Sequence, residues 1–260
     1  MKDLTMTWTL RPISTMLIGA SLVFATLPAA AQSVSGQGQK RSVKAVVELF
    51  TSQGCSSCPS ADALMDKTYS KRSDVLALSY SVDYWDYIGW KDTNASPRNS
   101  IRQRDYAKSR GDGAVYTPQM VVNGSAHAVG ANGPEIDKAI VRTSSALQSE
   151  WLPVTARTGD NGVVIELASG AKALSDVRVI LVGLKRQHSV KIERGENAGR
   201  SITYTNVVRE FKQVGGTSLA AGSVSIPQDQ LANPACDAYA VLLQRGPSGP
   251  IVGAATIGIW

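Results

Sequence analysis

The sequence predicts an α/β unit followed by a small antiparallel β-sandwich-like domain, on three observations. A β-branched apolar run, a break and a stretch with three-and-four periodicity open the folded part of the chain, and a second apolar run follows. After Trp151 the texture changes to short alternating runs split by turn signals, with no helical pattern. At 260 residues, 43% hydrophobic and 18% charged, the chain suffices for one large domain or two modest ones, and its composition excludes disordered and collagenous classes.

The first residues read as an address rather than as fold. Lys2 and Arg11 precede the apolar run Ile13 to Leu27, and Ala29 and Ala31 satisfy the small-x-small cleavage rule, so residues 1–31 are expected to be a signal peptide and Gln32 the mature start. The run is shorter than the roughly 18 apolar residues of a spanning helix, so the mature chain is expected to be periplasmic or secreted and not membrane-spanning. Loss of Lys2, Arg11 and Asp3 takes the net charge from +6 to +5. Mild basicity, export and the lack of a basic tail or zinc-finger spacing argue against a nucleic-acid partner.

Residues 32–42 are polar and read as a disordered leader. Val43 to Phe50 reads as a buried strand broken by Thr51-Ser52-Gln53-Gly54, and Ala61, Leu64, Met65 and Thr68 set a helix with Cys55 to Cys58 as its first turn. Val75 to Val82 is the second strand, parallel to the first through that helix, so their C-terminal ends share an edge. An aromatic loop, Asp83 to Asp92, leaves that edge. Ser96-Pro97 supplies an N-cap and first-turn proline for a helix stopped by Gly111. Tyr116 to Asn123 and Ala126 to Val129 flank the hairpin signal Asn123-Gly124, and a helix from about Pro134 to Ser149 closes a unit over 43–150. Over 151–260 the runs Pro153 to Thr158, Gly162 to Leu167, Val177 to Leu184, Ser189 to Glu193, Tyr204 to Val214, Gly222 to Ile226, Ala238 to Gln244 and Ile251 to Ile259 read as strands.

Three cysteines, Cys55, Cys58 and Cys236, cannot all pair within one molecule. In an exported chain the Cys-x-x-Cys pair is either redox chemistry or a staple. A helix N-terminus stabilises an anion, which makes Cys55 the nucleophilic thiolate, and Cys58, one turn in, the thiol that resolves a mixed disulfide. A zinc site would need Cys236, His127 and His188, which lack paired spacing. No cofactor is implied.

The stretch Val46-Val47-Glu48-Leu49-Phe50-Thr51-Ser52-Gln53-Gly54-Cys55-Ser56-Ser57-Cys58-Pro59 resembles the strand and active-site turn of the thioredoxin superfamily, and Thr117-Pro118 resembles its cis-proline signature. The resemblance covers about residues 43–150 and implies a thioredoxin-like domain in which Pro118 packs beside the dithiol and supports a bound substrate. It also implies a buried acid that shuttles a proton for the resolving cysteine. Glu48 stands near that place, one residue further away than usual, and alternation with Val46 and Phe50 leaves two readings, a buried general base for Cys58 or a solvent-facing carboxylate. More narrowly, Ser-Gln-Gly-Cys-Ser-Ser-Cys-Pro, Val-Asp-Tyr-Trp-Asp-Tyr-Ile-Gly-Trp-Lys-Asp, Val-Tyr-Thr-Pro-Gln-Met-Val-Val-Asn-Gly and Arg-Gly-Glu-Asn-Ala-Gly-Arg together resemble the exported bacterial family catalogued as domain of unknown function 1223.

Around the dithiol, Tyr80, Tyr84, Trp85, Tyr87 and Trp90 form either a wall that selects a partner or rings that plug a sheet edge. Arg98, Arg102, Arg104, Lys108 and Arg110 read as a solvated basic helix face, and Cys236 as a buried small residue. The leading expectation is an exported thiol–disulfide oxidoreductase or redox-responsive protein with Cys55, Cys58, Pro118 and Glu48 as site residues and a protein or small thiol/disulfide as substrate. The alternatives are a non-catalytic binding protein with a structural Cys55–Cys58 disulfide and a copper-binding metallochaperone using His127 with the cysteines.

Overall fold

The structure is a computed structural model that describes residues 42–159, 161–167, 174–215, 218–219 and 222–258. The expected signal peptide (1–31) and all but the last residue of the leader (32–42) lie outside the described residues. In chain order the strands and helices are β1 (Ala45–Thr51), α1 (Cys58–Lys67), β2 (Val75–Ser81), α2 (Pro97–Arg110), β3 (Gln119–Val122), β4 (Ala126–Val129) and α3 (Gly133–Ala146). They are followed by β5 (Val154–Gly159), β6 (Gly162–Leu167), β7 (Leu174–Ser175), β8 (Val177–Lys191), β9 (Ser201–Gly215), β10 (Ser218–Leu219), β11 (Ser223–Pro227), β12 (Ala238–Arg245) and β13 (Ile251–Ile257). Local signals set many of these bounds. Ser96 accepts the Arg98 N–H to cap α2, Gly111 ends it in the left-handed region at φ 77°, and Asn123-Gly124 turns β3 into β4 with positive φ at both residues.

The architecture is mixed α/β. One eight-stranded sheet runs in the order β13-β12-β8-β9-β2-β1-β3-β4, and a second, three-stranded antiparallel sheet holds β11-β6-β5. β1 is parallel to β2, as the βαβ argument requires, and antiparallel to β3. The division at residue 150 is one of texture and not of sheets: β8, β9, β12 and β13 extend the sheet begun by β1, β2 and β3, and all the described residues fall in one compact unit. The expected separate sandwich is reduced to β5, β6 and β11. The seam between the halves is a single parallel bridge, Ser79 to Val207, so side chains complete it. Ser79 Oγ donates to Thr205 O at 2.8 Å and Asn206 Nδ2 to Ala77 O at 2.9 Å. The runs Val177 to Leu184 and Ser189 to Glu193 are one continuous 15-residue strand, β8, paired with an equally long β9.

Strict alternation divides the core into three layers. Odd residues Ala45, Val47 and Leu49 of β1 pack with Val75, Ala77, Met120 and Val122 beneath Ala61 and Met65 of α1 and Ile136 and Ile140 of α3. Even residues Val46, Phe50, Leu76, Leu78 and Tyr80 pack instead with Val182, Leu184, Ala240, Leu242 and Ala254. Strands from the far end of the sheet order therefore lie over the other face of β1 and β2, and the sheet bends back on itself. The outer face of that return, with Val179, Leu181, Val241 and Leu243, is covered by Val163, Ile165 and Ile226 of the small sheet.

Inside the middle layer sits one buried ion pair. Glu48, fully buried, and Arg102, 7% exposed, meet at 2.8 Å. Arg102 also donates to Tyr106 Oη and, at 3.1 Å, to Gln244 Oε1 of β12, while the Tyr106 hydroxyl donates to Glu48 Oε2. The guanidinium stacks 4.4 Å from the Phe211 ring centroid. Glu48 raises the Arg102 pKa against the pull of burial, so the arginine stays charged. The solvated basic face expected of α2 thus holds for Arg98, Arg104 and Lys108 and fails for Arg102, which Gln244 of β12 and Phe211 of β9 cover, and for Arg110, whose side chain is 7% exposed and paired with Asp112. Removing one partner strands a buried charge. Arg102→Leu is expected to lower stability in urea denaturation by about 3–5 kcal/mol, and Glu48→Leu combined with Arg102→Leu to recover most of the loss.

Candidate functional site

The turn between β1 and α1 is short, with Ser52, Gln53, Gly54 and Cys55 buried and Ser56 and Ser57 exposed. Cys55 and Cys58 are joined by a disulfide with Cα atoms 5.4 Å apart. The Cys58 N–H donates to Cys55 O at 3.1 Å, Ser57 takes the N-cap position, and Pro59 supplies the first-turn proline of α1. Cys58 lies deep, as expected. Cys55 is covered almost equally: Cys58 and Cys55 are 0% and 1% exposed. The cover comes from the other half of the chain.

That cover is the tip of the β8–β9 hairpin. Asn197, itself buried, donates from Nδ2 to both Gln53 O and Cys55 O at 2.9 Å. Glu196 accepts the Ser56 N–H at 3.1 Å, so an anion from the hairpin sits at the N-terminal end of α1, which has no acid of its own in its first turn. Gly195, at φ 79°, lets the tip pass close to Ile88 and Trp90.

The aromatic loop holds the turn from the opposite side. Asp92 Oδ2 accepts the Gln53 N–H at 2.8 Å, and Gln53 Oε1 accepts from Trp90 Nε1 at 2.8 Å and from the Thr93 N–H at 3.2 Å. A Cβ on Gly54 would come 3.1 Å from Trp85 Cβ and 2.9 Å from Ile88 Cδ1, so a larger residue there would push the loop's side chains away from the turn. Trp85 Nε1 donates to Thr117 Oγ1 at 2.7 Å. The Thr117–Pro118 bond is cis, and Pro118 O accepts the Gly130 N–H at 2.9 Å. The loop therefore links the dithiol turn to the proline segment. Trp85 and Trp90 plug the edge, whereas Tyr87, stacked 6.3 Å from Trp85, is 81% exposed.

Of the four expected site residues, Cys55 and Cys58 come together, and Trp85 ties the Thr117–Pro118 segment to their turn. Glu48 does not join them. Alternation puts it on the sheet face opposite α1, where Arg102 and Tyr106 engage it, so the proposed base for Cys58 is misplaced. His127 Nδ1 shares a hydrogen bond with the Tyr116 hydroxyl at 2.8 Å, and Nε2 lies 3.3 Å from Asp112. Among the described residues no cluster of three or more His, Cys, Asp or Glu is placed to hold a metal. Cys236 is free and half-buried against Gly183.

The residue that sequence reasoning missed is Asp62. It is 3% exposed, and none of the described residues hydrogen-bonds either carboxyl oxygen. Burial pushes its pKa up to about 8, with the Asp92 charge adding to the rise and the nearby Thr51 hydroxyl opposing it. Asp92 itself is pushed up to about 6 by burial against the backbone N–H groups of Gln53 and Asn94. The signal was present: Cys58, Ala61, Asp62 and Met65 are the buried stripe of α1, and an acid within such a stripe is anomalous.

The sequence model of a family described as protein of unknown function (DUF1223) matches residues 46–244. The crystal structure of protein AGR_C_4864 from Agrobacterium tumefaciens is similar at 34% identity and a TM-score of 0.71, over 84% of this chain and 95% of that one. HBP35 of Porphyromonas gingivalis shares fold at 12% identity and a TM-score of 0.56, over 86% of this chain and 77% of that one. No curated protein matches. Among the described residues no helix is long and apolar enough to cross a membrane.

Two outcomes test this geometry. Asn197→Ala frees two carbonyls of the dithiol turn and loosens the tip, so dithiothreitol is expected to reduce the disulfide about tenfold faster in a thiol-alkylation time course. An unchanged rate contradicts a cover that limits access. For Asp62 the folded pKa lies above the unfolded value, so its stabilisation is complete below about pH 4 and is lost as pH rises to about 8. With the disulfide intact, wild-type stability should fall relative to Asp62→Asn by about 1.4 kcal/mol per pH unit across that window in urea denaturation. Asp92 acts with the same sign between about 4 and about 6 in both proteins, so the difference isolates Asp62. Parallel profiles would contradict the assignment.

Proposed function

We propose that this chain, which belongs to the DUF1223 family of proteins of unknown function, is an exported thioredoxin-like thiol–disulfide oxidoreductase or redox-responsive protein that works through Cys55 and Cys58. The single observation that carries the reading is the disulfide at the strand-to-helix turn of a parallel β-α-β unit, with a cis Thr117–Pro118 bond leading into the neighbouring antiparallel strand. The export signal expected over residues 1–31 makes the periplasm or the exterior the compartment, where such a couple cycles with protein or small-molecule thiols and disulfides.

In this reading Cys55 is the attacking sulfur. Its thiolate forms a mixed disulfide with the substrate, and Cys58 displaces the substrate by attacking the Cys55 sulfur. The hairpin tip governs access, because Cys55 is covered while Asn197 and Glu196 are seated. Glu196 also places negative charge where a thiolate would otherwise be favoured, so a partner that displaces the tip both uncovers and activates Cys55.

The burial of both sulfurs favours a second reading, a staple that fixes the turn in a binding protein. Trapping separates them. With Cys58→Ser expressed in the native host, the redox reading expects mixed disulfides at Cys55, visible as reductant-sensitive adducts by mass spectrometry. A Cys55 that remains a free thiol in that variant sinks the redox reading and leaves the staple.

A further inference from the structure

A cavity of about 260 Å³ lies where the two halves of the chain meet. One wall is a stripe of α2: Arg98, Ile101, Arg102 and Asp105 follow one another at spacings of three, one and three, which puts them on a single helix face. Arg178 of β8, Phe211 of β9 and the turn between β12 and β13 at Pro247 form the other. Tyr80, which also lines the cavity, packs in the even-numbered layer of the core, whereas α1 packs with the odd-numbered one. The cavity therefore belongs to the sheet face away from α1, and it joins segments more than 70 residues apart, the kind of seam at which small-molecule sites form.

Its walls carry three guanidinium groups and one carboxylate. Arg102 is answered by Glu48 behind it. Arg98 and Arg178 form no ion pair among the described residues, unlike Arg72, Arg110 and Arg157, each of which meets an acid. Arg178 is fixed all the same: its Nε donates to Gly246 O at 2.7 Å and its Nη2 to Pro247 O. Two carbonyls hold the guanidinium in place without cancelling its charge, and Nη1 keeps its N–H groups without a partner among the described residues. Burial and the charge of Arg102 both act against this cation, and the more distant Asp176 and Asp105 do not make up the difference. Beside the charge the lining is apolar, with Phe211, Pro247 and Ile101, which is 49% exposed.

These features select a class of ligand. The volume falls below the roughly 300–1,000 Å³ of sites for drug-sized molecules, so the occupant is small. Unpaired guanidinium groups call for an anion, and a carboxylate matches their fork with two parallel hydrogen bonds. Asp105 on the same wall opposes a second negative charge, which favours a monoanion over a phosphate dianion. The apolar lining calls for a hydrocarbon body rather than a bare ion. We propose that this cavity is a binding site for a small organic monocarboxylate, its carboxylate held by Arg178 and Arg98 and its apolar body by Phe211 and Ile101. The site is separate from the dithiol, and it stands whether the disulfide is a couple or a staple.

The test is calorimetric titration of the full chain with benzoate, benzamide and inorganic phosphate as probes. Benzoate is expected to bind one per chain and to saturate below about 10 mM, with benzamide, which lacks the charge, and phosphate, which lacks the apolar body, at least about tenfold weaker. Arg178→Gln is expected to weaken benzoate about tenfold or more. Because Arg178 also holds the turn between β12 and β13, Ile101→Glu is the second variant: it changes an exposed position of α2 to another good helix former and sets a negative charge on the cavity wall. It should cause the same loss of benzoate binding while leaving the urea midpoint unchanged. Benzoate that does not saturate, benzamide or phosphate that matches it, or an affinity that either folded variant leaves unmoved overturns the proposal.

Discussion

At the centre of the candidate site Gln53 has every polar group bound, by the segment Trp90 to Thr93 and by Asn197 of the hairpin. Its N–H goes to Asp92, its side-chain oxygen accepts from Trp90 and the Thr93 backbone, its side-chain nitrogen donates to Thr93 Oγ1, and its carbonyl accepts from Asn197. The aromatic loop and the β8–β9 hairpin, separated by about a hundred residues of sequence, are thereby fastened to the residue two before Cys55. Buried backbone polar groups must find partners, and here those partners define the walls around the disulfide.

The bent sheet explains how a hairpin from the second half arrives there. β9 joins β2 at a single backbone bridge, so the two long strands are free to diverge, and their tip projects across the C-terminal end of β1. The return of β8 and β12 over the even-numbered face of β1 buries Arg102, and Glu48 then supplies the charge that an enclosed guanidinium requires. The ion pair is the consequence of how the two halves share a core, and it occupies the acid that the thioredoxin resemblance offers to Cys58. Asp62, brought under cover when β9 packs on α1, is left as the unpaired carboxyl on the dithiol side.

Much of the first half was legible because its signals are local. Strand, break, Cys-x-x-Cys and helix follow one another within about twenty residues, Ser96-Pro97 and Gly111 bracket α2, and Asn123-Gly124 turns the hairpin. The remainder depends on partners far away in sequence. Asn197 lies 142 residues from Cys55, and Thr205 lies 139 from the Asp66 it bonds, so neither contact leaves a periodic trace. Arg-Gly-Glu-Asn-Ala-Gly-Arg reads locally as a turn, which it is, and nothing in it says what it covers. The alternation of Val46, Glu48 and Phe50 put Glu48 on one face of β1 but left open whether that face was buried or solvent-facing, and the packing of β8 and β12 over it decided the fate of Glu48.

The central claim is that the covered disulfide is a working couple. Its most direct measurement is equilibration of the full chain with reduced and oxidised glutathione, followed by quenching and counting free thiols on Cys55 and Cys58. The account predicts a couple that passes from disulfide to dithiol within the range glutathione can reach, above roughly −300 mV. A pair that stays oxidised at every ratio, though the same disulfide opens once the chain is unfolded, would contradict it and make the bond a staple.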